Sequence, residues 1–246
     1  MNSFGRIFRV HIFGESHGEC VGLTIDGCPA GLPLSVDDFT TDIERRKPGA
    51  LGTTPRKEDD IPQIKTGLFN GKTTGAPITI IFENKNTRSS DYEKLRAVPR
   101  PGHADFVASK KFGGNEDYRG SGHFSGRLTV CLVAAGVIAK RLLLTSTKEG
   151  GIIVQSYISE IGGEKDPDKG LQKAFDAKDS VGGIVECKVS GLPVGLGEPF
   201  FDSAESLISH AVFAIPAVRG VEFGTGFAAA RMFGSDHNDA IEDKTG

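Results

Sequence analysis

Leu128-Thr129-Val130-Cys131-Leu132-Val133-Ala134-Ala135-Gly136-Val137-Ile138-Ala139-Lys140-Arg141-Leu142-Leu143-Leu144 reads as one helix, and its reading decides the fold. Leu128, Val130, Cys131, Leu132, Val133, Val137, Ile138, Leu142 and Leu143 cover nearly every face. A helix that is apolar all round is buried on all sides. At ~1.5 Å per residue it is short for a membrane span, and Lys140 and Arg141 charge its end. The expectation is a central helix sandwiched between sheets.

The neighbouring segments supply those sheets. Phe8 to Phe13 and Val21 to Asp26 read as strands around a Gly-rich turn. Ser35 is a plausible N-cap, followed by Asp37 and Asp38 in the first turn and by Val36, Phe39 and Ile43 on one face. Arg45, Arg46 and Lys47 suit that helix's C-terminal dipole, and Pro48-Gly49 ends it. Gly52 to Asp60 is hydrophilic and aperiodic, a loop. Ile64 to Phe69, Pro77 to Phe82, Ile152 to Ile158 and Ile184 to Val189 read as strands. Lys169 to Ala177 and Ala204 to Phe213 read as helices. Strands come in pairs between helices, so the expected class is α+β, a β-α-β sandwich with a central buried helix layer. Gly27-Cys28-Pro29-Ala30-Gly31-Leu32 and Gly191-Leu192-Pro193-Val194-Gly195-Leu196 share G-x-P-x-G-L, each after a predicted strand, which hints at an internal duplication. Residues 1–246 are read as one domain. Gly234 to Gly246 does not read as a finished one, and Asp243-Lys244-Thr245-Gly246 looks like the middle of a hairpin.

Composition narrows the class. The 246 residues carry a net charge of −3 and 25% charged residues, as an ordinary globular chain does. No sequence-wide basic field points to nucleic acid. No apolar run reaches the ~20 residues of a membrane span, and no signal peptide is evident. Cys20, Cys28, Cys131 and Cys187 form no C-x-x-C pair, which suggests reduced thiols and a cytoplasmic location. The 33 glycines imply tight turns or close backbone approach to a ligand.

Four constellations carry chemistry. Gly14-Glu15-Ser16-His17-Gly18 is formally G-x-S-x-G, the nucleophile elbow of α/β-hydrolases, yet the pattern after it reads as a strand rather than a helix. Its histidine suits general acid/base work from a Gly-flanked turn, and a purely structural turn is the plainer alternative. Arg100-Pro101-Gly102-His103-Ala104-Asp105 places a second His at a helix start, where Asp105 could orient the imidazole or cap the helix. Arg119 to Arg127 is Gly/Ser-rich and opens the central helix. Backbone N–H groups, Arg119, Arg127 and His123 could receive an anion there, and Phe124 offers a stacking surface. Glu44-Arg45-Arg46-Lys47-Pro48 is either a solvated helix end or a phosphate clamp. Gly234 to Asp239 lacks a second cluster, and no metal is assigned.

Together these segments closely resemble the chorismate synthase family. The resemblance runs from Phe4-Gly5-Arg6 to near Gly246. It rests on G-E-S-H-G (14–18), D-G-x-P-A-G-L-P (26–33), E-R-R-K-P-G (44–49), G-K-T-T-G-A-P-I (71–78), R-P-G-H-A-D (100–105), D-Y-R-G-S-G-H-F-S-G-R (117–127), P-V-G-L-G-E-P (193–199) and A-V-R-G-V-E-F-G-x-G-F (217–227). Many members have Arg-Ser-Ser-Ala-Arg where this chain has His123 to Arg127. The family continues beyond Gly246 with two flavin segments and an Arg/Asp motif.

The resemblance implies a carbon–oxygen lyase of the shikimate pathway, a cytoplasmic homotetramer that converts 5-enolpyruvylshikimate 3-phosphate to chorismate and phosphate. It implies a 1,4-elimination that requires reduced FMN without net redox change, with NADPH as a further candidate, the flavin's reductant. By the same resemblance, His17 protonates the leaving phosphate and His103 serves the flavin's protonation state. Ser16 lies by the substrate, Arg46 and Arg127 hold its anionic groups, and Arg46 is alternatively a nicotinamide contact. His123, Phe124, Ser125, Pro216 and Ala217 match FMN contacts. Two other readings stay open: an inactive FMN- or phospholigand-binding fragment, and a serine hydrolase using Ser16.

Overall fold

The computed structural model describes residues 2–49, 53, 58–86, 92, 98–146 and 151–241. The loop expected from Gly52 to Asp60 lies partly outside the described residues, and the hairpin expected at Asp243 to Gly246 lies wholly outside them. The chain divides into two compact units, Met1–Gly191 and Leu192–Gly246.

The first unit is built on an antiparallel five-stranded sheet. Its strands are β1 (Ser3–Phe4), β2 (Arg9–Gly14), β3 (Cys20–Asp26), β4 (Gln63–Ile64) and β7 (Ile78–Glu83), in the order β1-β2-β3-β7-β4. β5 (Leu68–Phe69) and β6 (Lys72–Thr73) form a separate small ribbon. The segment read as one strand from Ile64 to Phe69 is therefore two, because Leu68 and Phe69 leave the sheet to pair with Thr73 and Lys72. In β3 and β7, alternation dictates the core. Val21 faces Phe82, Leu23 faces Ile80 and Ile25 faces Ile78, all six fully buried. Burying each such side chain is worth ~1.5–3 kcal/mol relative to exposure. The opposite face is mixed, with a Thr24–Thr79 hydroxyl contact at 3.2 Å beside half-buried Phe13 and Ile81.

Over that apolar face lie α1 (Thr40–Arg46), entered through a 3-10 turn at Val36–Phe39, and α3 (Thr129–Thr145). The Asp38 carboxylate accepts from the Ser35 backbone N–H at 2.7 Å, as the capping reading expects. Phe39 and Ile43 complete the same core. α2 (Asp105–Phe112) is largely exposed. α3 touches β3 on one side and β8 (Ile153–Ile161) on the other. β8 pairs antiparallel with β9 (Gly183–Ser190), and α4 (Pro167–Ala177) connects them. The fold is thus α+β, with the helix layer between a sheet and a two-stranded ribbon.

Burial of α3 is less uniform than its composition suggests. Val130, Cys131, Ala134, Ala135, Val137 and Ile138 form the buried stripe, while Leu132, Val133 and Leu143 are half-buried and Leu144 is exposed. Two strands cover less of a helix than five do. By length and composition the run 119–145 could cross a membrane, yet its stripe packs into the sheet's core cluster.

The suspected duplication has a backbone counterpart. Gly27 and Gly191 have φ +77 and +75, and Gly31 and Gly195 have φ +91 and +90. A Cβ on Gly27 would lie 1.9 Å from the Ile7 carbonyl oxygen, and one on Gly191 2.5 Å from that of Gly151. Each of those carbonyls belongs to the residue two before its hairpin's first strand. In the second unit, α5 (Ala204–Val212) begins at Ser203, whose hydroxyl accepts from the Ser206 N–H at 3.2 Å.

Candidate active site

The Gly14–Gly18 segment is the turn of the β2–β3 hairpin, where Phe13 faces Gly22 and Gly14 faces Val21. Antiparallel strands on both sides exclude the hydrolase elbow, which needs a strand, a turn and then a helix. Ser16 is also only 1% exposed. The serine-hydrolase reading is therefore corrected: Ser16 is a buried turn residue. The turn is closed by the Gly18 N–H donating to the Glu15 carbonyl at 3.2 Å, which puts Ser16 and His17 at its two central positions.

The loop at Arg119–Phe124 and Tyr92 grip this turn. The Ser16 N–H donates to the Gly122 carbonyl at 3.0 Å. Tyr92 meets the His17 ring edge-on, with centroids 4.9 Å apart. Gly120 lies over the His17 imidazole at φ +57, and a Cβ there would fall 2.4 Å from Cε1, 2.5 Å from Nδ1 and 3.0 Å from Ser16 Oγ. The glycine in Arg119-Gly120-Ser121-Gly122 is thus a steric requirement of the histidine as much as of the loop.

Arg46 and Arg127 come together around a residue the sequence did not reveal. Asp60 is buried at φ +51. One of its carboxylate oxygens accepts from Arg46 Nη1 at 2.8 Å, and the other pairs with Arg127 Nη1. Arg46 Nε donates to Thr129 Oγ1 at 3.0 Å, and Arg127 Nη2 to the Glu83 carbonyl at 3.3 Å. Two guanidinium groups, the residue type whose fork matches carboxylate and phosphate, thus converge on one buried carboxylate. Arg119, read as a further anion donor, is instead bidentate to Asp117, with both contacts at 2.8 Å. It holds the Asp117 carboxyl below its usual range, an effect to which the His17 charge adds.

A second clamp holds the loop from the other side. Arg100 is bidentate to Asp105, at 2.8 and 2.9 Å, and donates to Ser121 Oγ at 2.8 Å. Ser121 has φ +66, a left-handed conformation costly for a side-chain-bearing residue. The Arg100 hydrogen bonds pull Asp105 down to about pKa 2. Asp105 therefore serves Arg100 and Ser121 in this structure. His103 hydrogen-bonds to the Pro101 carbonyl at 3.0 Å and is exposed.

A cavity of about 790 Å³ opens beside these elements. Phe13, Tyr92, Phe106, Phe112, Tyr118 and Phe124 line it, with Arg100, Lys110 and Glu116 among its charged groups. His123 lines it too, its ring nitrogens against the Gly14 carbonyl at 2.8 Å and Asn2 Oδ1 at 3.0 Å. Ser125 accepts from the Arg127 backbone N–H at 3.3 Å, capping the turn into α3, and neither it nor His103 is among the lining residues described. Pro216 and Ala217 lie in the second unit after α5, where Ala217 has φ +71.

The chorismate synthase family model matches residues 8–246. A chorismate synthase of Chitinophaga pinensis is 68% identical over all of this chain and 73% of its own length. One from Dehalococcoides mccartyi is 48% identical, over 97% of this chain and 72% of its own. A crystal structure of a chorismate synthase superposes with a TM-score of 0.74 at 27% identity, covering 96% of this chain and 74% of that one.

Proposed function

Because the chain belongs to the chorismate synthase family, we propose that it eliminates phosphate from 5-enolpyruvylshikimate 3-phosphate to form chorismate. The observation that carries this reading is the placement of His17 in a buried turn whose anchor, Asn84, also holds the Arg127–Asp60–Arg46 network.

Each residue has a distinct task. The substrate bears a phosphate and two carboxylates, and guanidinium groups such as those of Arg46 and Arg127 suit such anions. His17, 7% exposed, is the proposed proton donor to the departing phosphate oxygen. Ser16, buried beside it, joins the proposed substrate contacts on the motif resemblance alone. Tyr92 and Gly120 fix the imidazole plane, so little reorganisation is needed as the C–O bond breaks.

The cavity residues fit a flavin. Its volume lies in the ~300–1,000 Å³ range of cofactor pockets and its aromatic walls match a flat ring, while its charged lining is mixed: Lys110 and the Asp105-paired Arg100 stand beside Glu15, Glu116 and Asp117. Phe124 and His123 would form one wall. Reduced FMN, when bound, supplies an electron-rich ring that assists loss of phosphate without net redox change. His103, Ser125, Pro216 and Ala217 join the proposed flavin residues on the motif resemblance. NADPH as reductant, with Arg46 then its contact instead of the substrate's, a homotetramer and a cytoplasmic location rest on the same support.

The test is anaerobic incubation of the 246-residue chain with 5-enolpyruvylshikimate 3-phosphate and chemically reduced FMN. Chorismate above a no-enzyme control is expected. FMN binding by folded protein without product would favour the inactive-fragment reading instead.

A further inference from the structure

We propose that Asn84 is a positioning residue for this reaction. Its amide ties the turn that carries Ser16 and His17 to the Arg127 guanidinium, so that the proton donor and the anion-binding cations are held as one unit. The proposal rests on the roles of His17 and Arg127 given above.

Asn84 follows the last residue of β7 and is 66–69 positions from the turn it holds. Its Nδ2 donates to the Glu15 carbonyl at 3.0 Å and to the Gly18 carbonyl at 2.9 Å, the two ends of the four-residue turn. Its Oδ1 accepts from Arg127 Nε at 2.9 Å. Its backbone N–H donates to the Glu19 carbonyl at 3.0 Å, which anchors the residue beside the turn. Arg127 then continues the chain of contacts through Asp60 to Arg46.

The chemistry of this position is demanding. One end of the side chain must donate twice and the other must accept from a cation. A primary amide of this length does both. The reversed amide would aim its oxygen at two carbonyl oxygens and its NH₂ at a guanidinium, so the network dictates the orientation. A carboxylate would keep the Arg127 contact and strengthen it, but would repel both turn carbonyls. A small displacement of an oriented acid lowers rate steeply, while the cations that bind the ground-state anion stay in place.

That asymmetry defines the test. Asn84→Asp preserves the acceptor and removes the donors, whereas Asn84→Ala removes both. For Asn84→Asp we expect kcat to fall at least ~10-fold with KM for 5-enolpyruvylshikimate 3-phosphate within ~3-fold of wild type. For Asn84→Ala we expect kcat to fall and KM to rise as well. The His17 ring signals in NMR spectra of the ligand-free chain should shift in both variants. If Asn84→Asp does not fold, Asn84→Ser takes its place, since its hydroxyl is too short to span both carbonyls, and the same His17 shift is expected. Unmoved His17 signals overturn the proposal, as does a KM that rises as far in Asn84→Asp as in Asn84→Ala, because a general packing role would give that. Wild-type protein that makes no chorismate refutes the proposed reaction, whereas the ligand-free His17 signals judge Asn84 independently.

Discussion

The β2–β3 and β8–β9 hairpins are two versions of one device. Their first strands start two residues after the carbonyl that crowds the closing glycine, and those glycines, Gly27 and Gly191, share a φ within a few degrees. Their fates differ. In β3, Val21, Leu23 and Ile25 are fully buried under α1 and α3, with β7 alongside. On β8 and β9, the apolar pairs Val154–Val189 and Ile158–Val185 remain exposed. The connections differ too: the first hairpin closes through the short turn bearing Ser16 and His17, the second through a helix. Turn chemistry is thus a local property, while burial and chemistry depend on what the rest of the chain brings to the hairpin.

The largest expected effect breaks the feature that only the first hairpin has. Gly120→Ala pushes a methyl group into the His17 ring from a left-handed backbone position. Turnover should fall by ~10²-fold or more, comparable with His17→Ala, if His17 is the acid. Steady-state kinetics with a melting curve for each variant checks this, and turnover near wild type in Gly120→Ala would remove the steric account. Next in size is the burial contrast. Leu23→Ala should cost ~2–5 kcal/mol in urea denaturation. Val185→Ala, at a position 66% exposed, should stay within ~0.5 kcal/mol. A comparable loss at Val185 would mean that this face is covered in solution.

A smaller effect tests the shared geometry. Gly27→Ala and Gly191→Ala each place a Cβ against a carbonyl oxygen at positive φ, and each should cost more than ~1 kcal/mol. Gly27 should suffer more, because its contact is the closer and its hairpin is rooted in the core. Equal tolerance of alanine at Gly191 would show that the two turns are alike in backbone only.

The same division explains what could be read from the sequence. Period-two alternation in Val21 to Ile25 and the capping signals at Ser35 depend on neighbours in sequence, and the structure follows them. The apolar run of α3 announced a core helix, but its half-buried face depends on a two-stranded partner that composition does not specify. In the site, Ser16, His17, Arg46 and Arg127 carry motif signals. Asp60 and Asn84 do not: one stands in a stretch that reads as a hydrophilic loop, the other just past the strand read from Pro77 to Phe82. Their partners lie from 14 to 69 positions away, a separation no local pattern encodes. Asp105 had a local signal, a histidine two residues before it, but its carboxylate is committed to Arg100 and Ser121.

That clamp yields the last and smallest contrast, between two carboxylates with lowered pKa values, one in each hairpin's surroundings. Asp105 is pulled to about 2 by hydrogen bonds from Arg100, against ~3.9 for an unfolded chain. A depressed folded value means that the stabilisation is fully present above ~3.9 and disappears as pH falls through about 2. Discounted for partial solvent exposure, it amounts to ~1–2 kcal/mol at neutral pH and roughly half of that at pH 3. Asp105→Asn should therefore lose that much stability in urea at pH 7, with the gap to wild type closing on acidification. Glu186 on β9 is lowered as well, chiefly by the Tyr157 hydroxyl, but the pair is exposed. Glu186→Gln should leave the melting temperature unchanged at both pH values, because the pair is exposed and the amide oxygen can still accept from the Tyr157 hydroxyl. A pH-independent gap for Asp105→Asn would mean that the Arg100 pair contributes through packing and that Ser121 keeps its left-handed conformation without the charge.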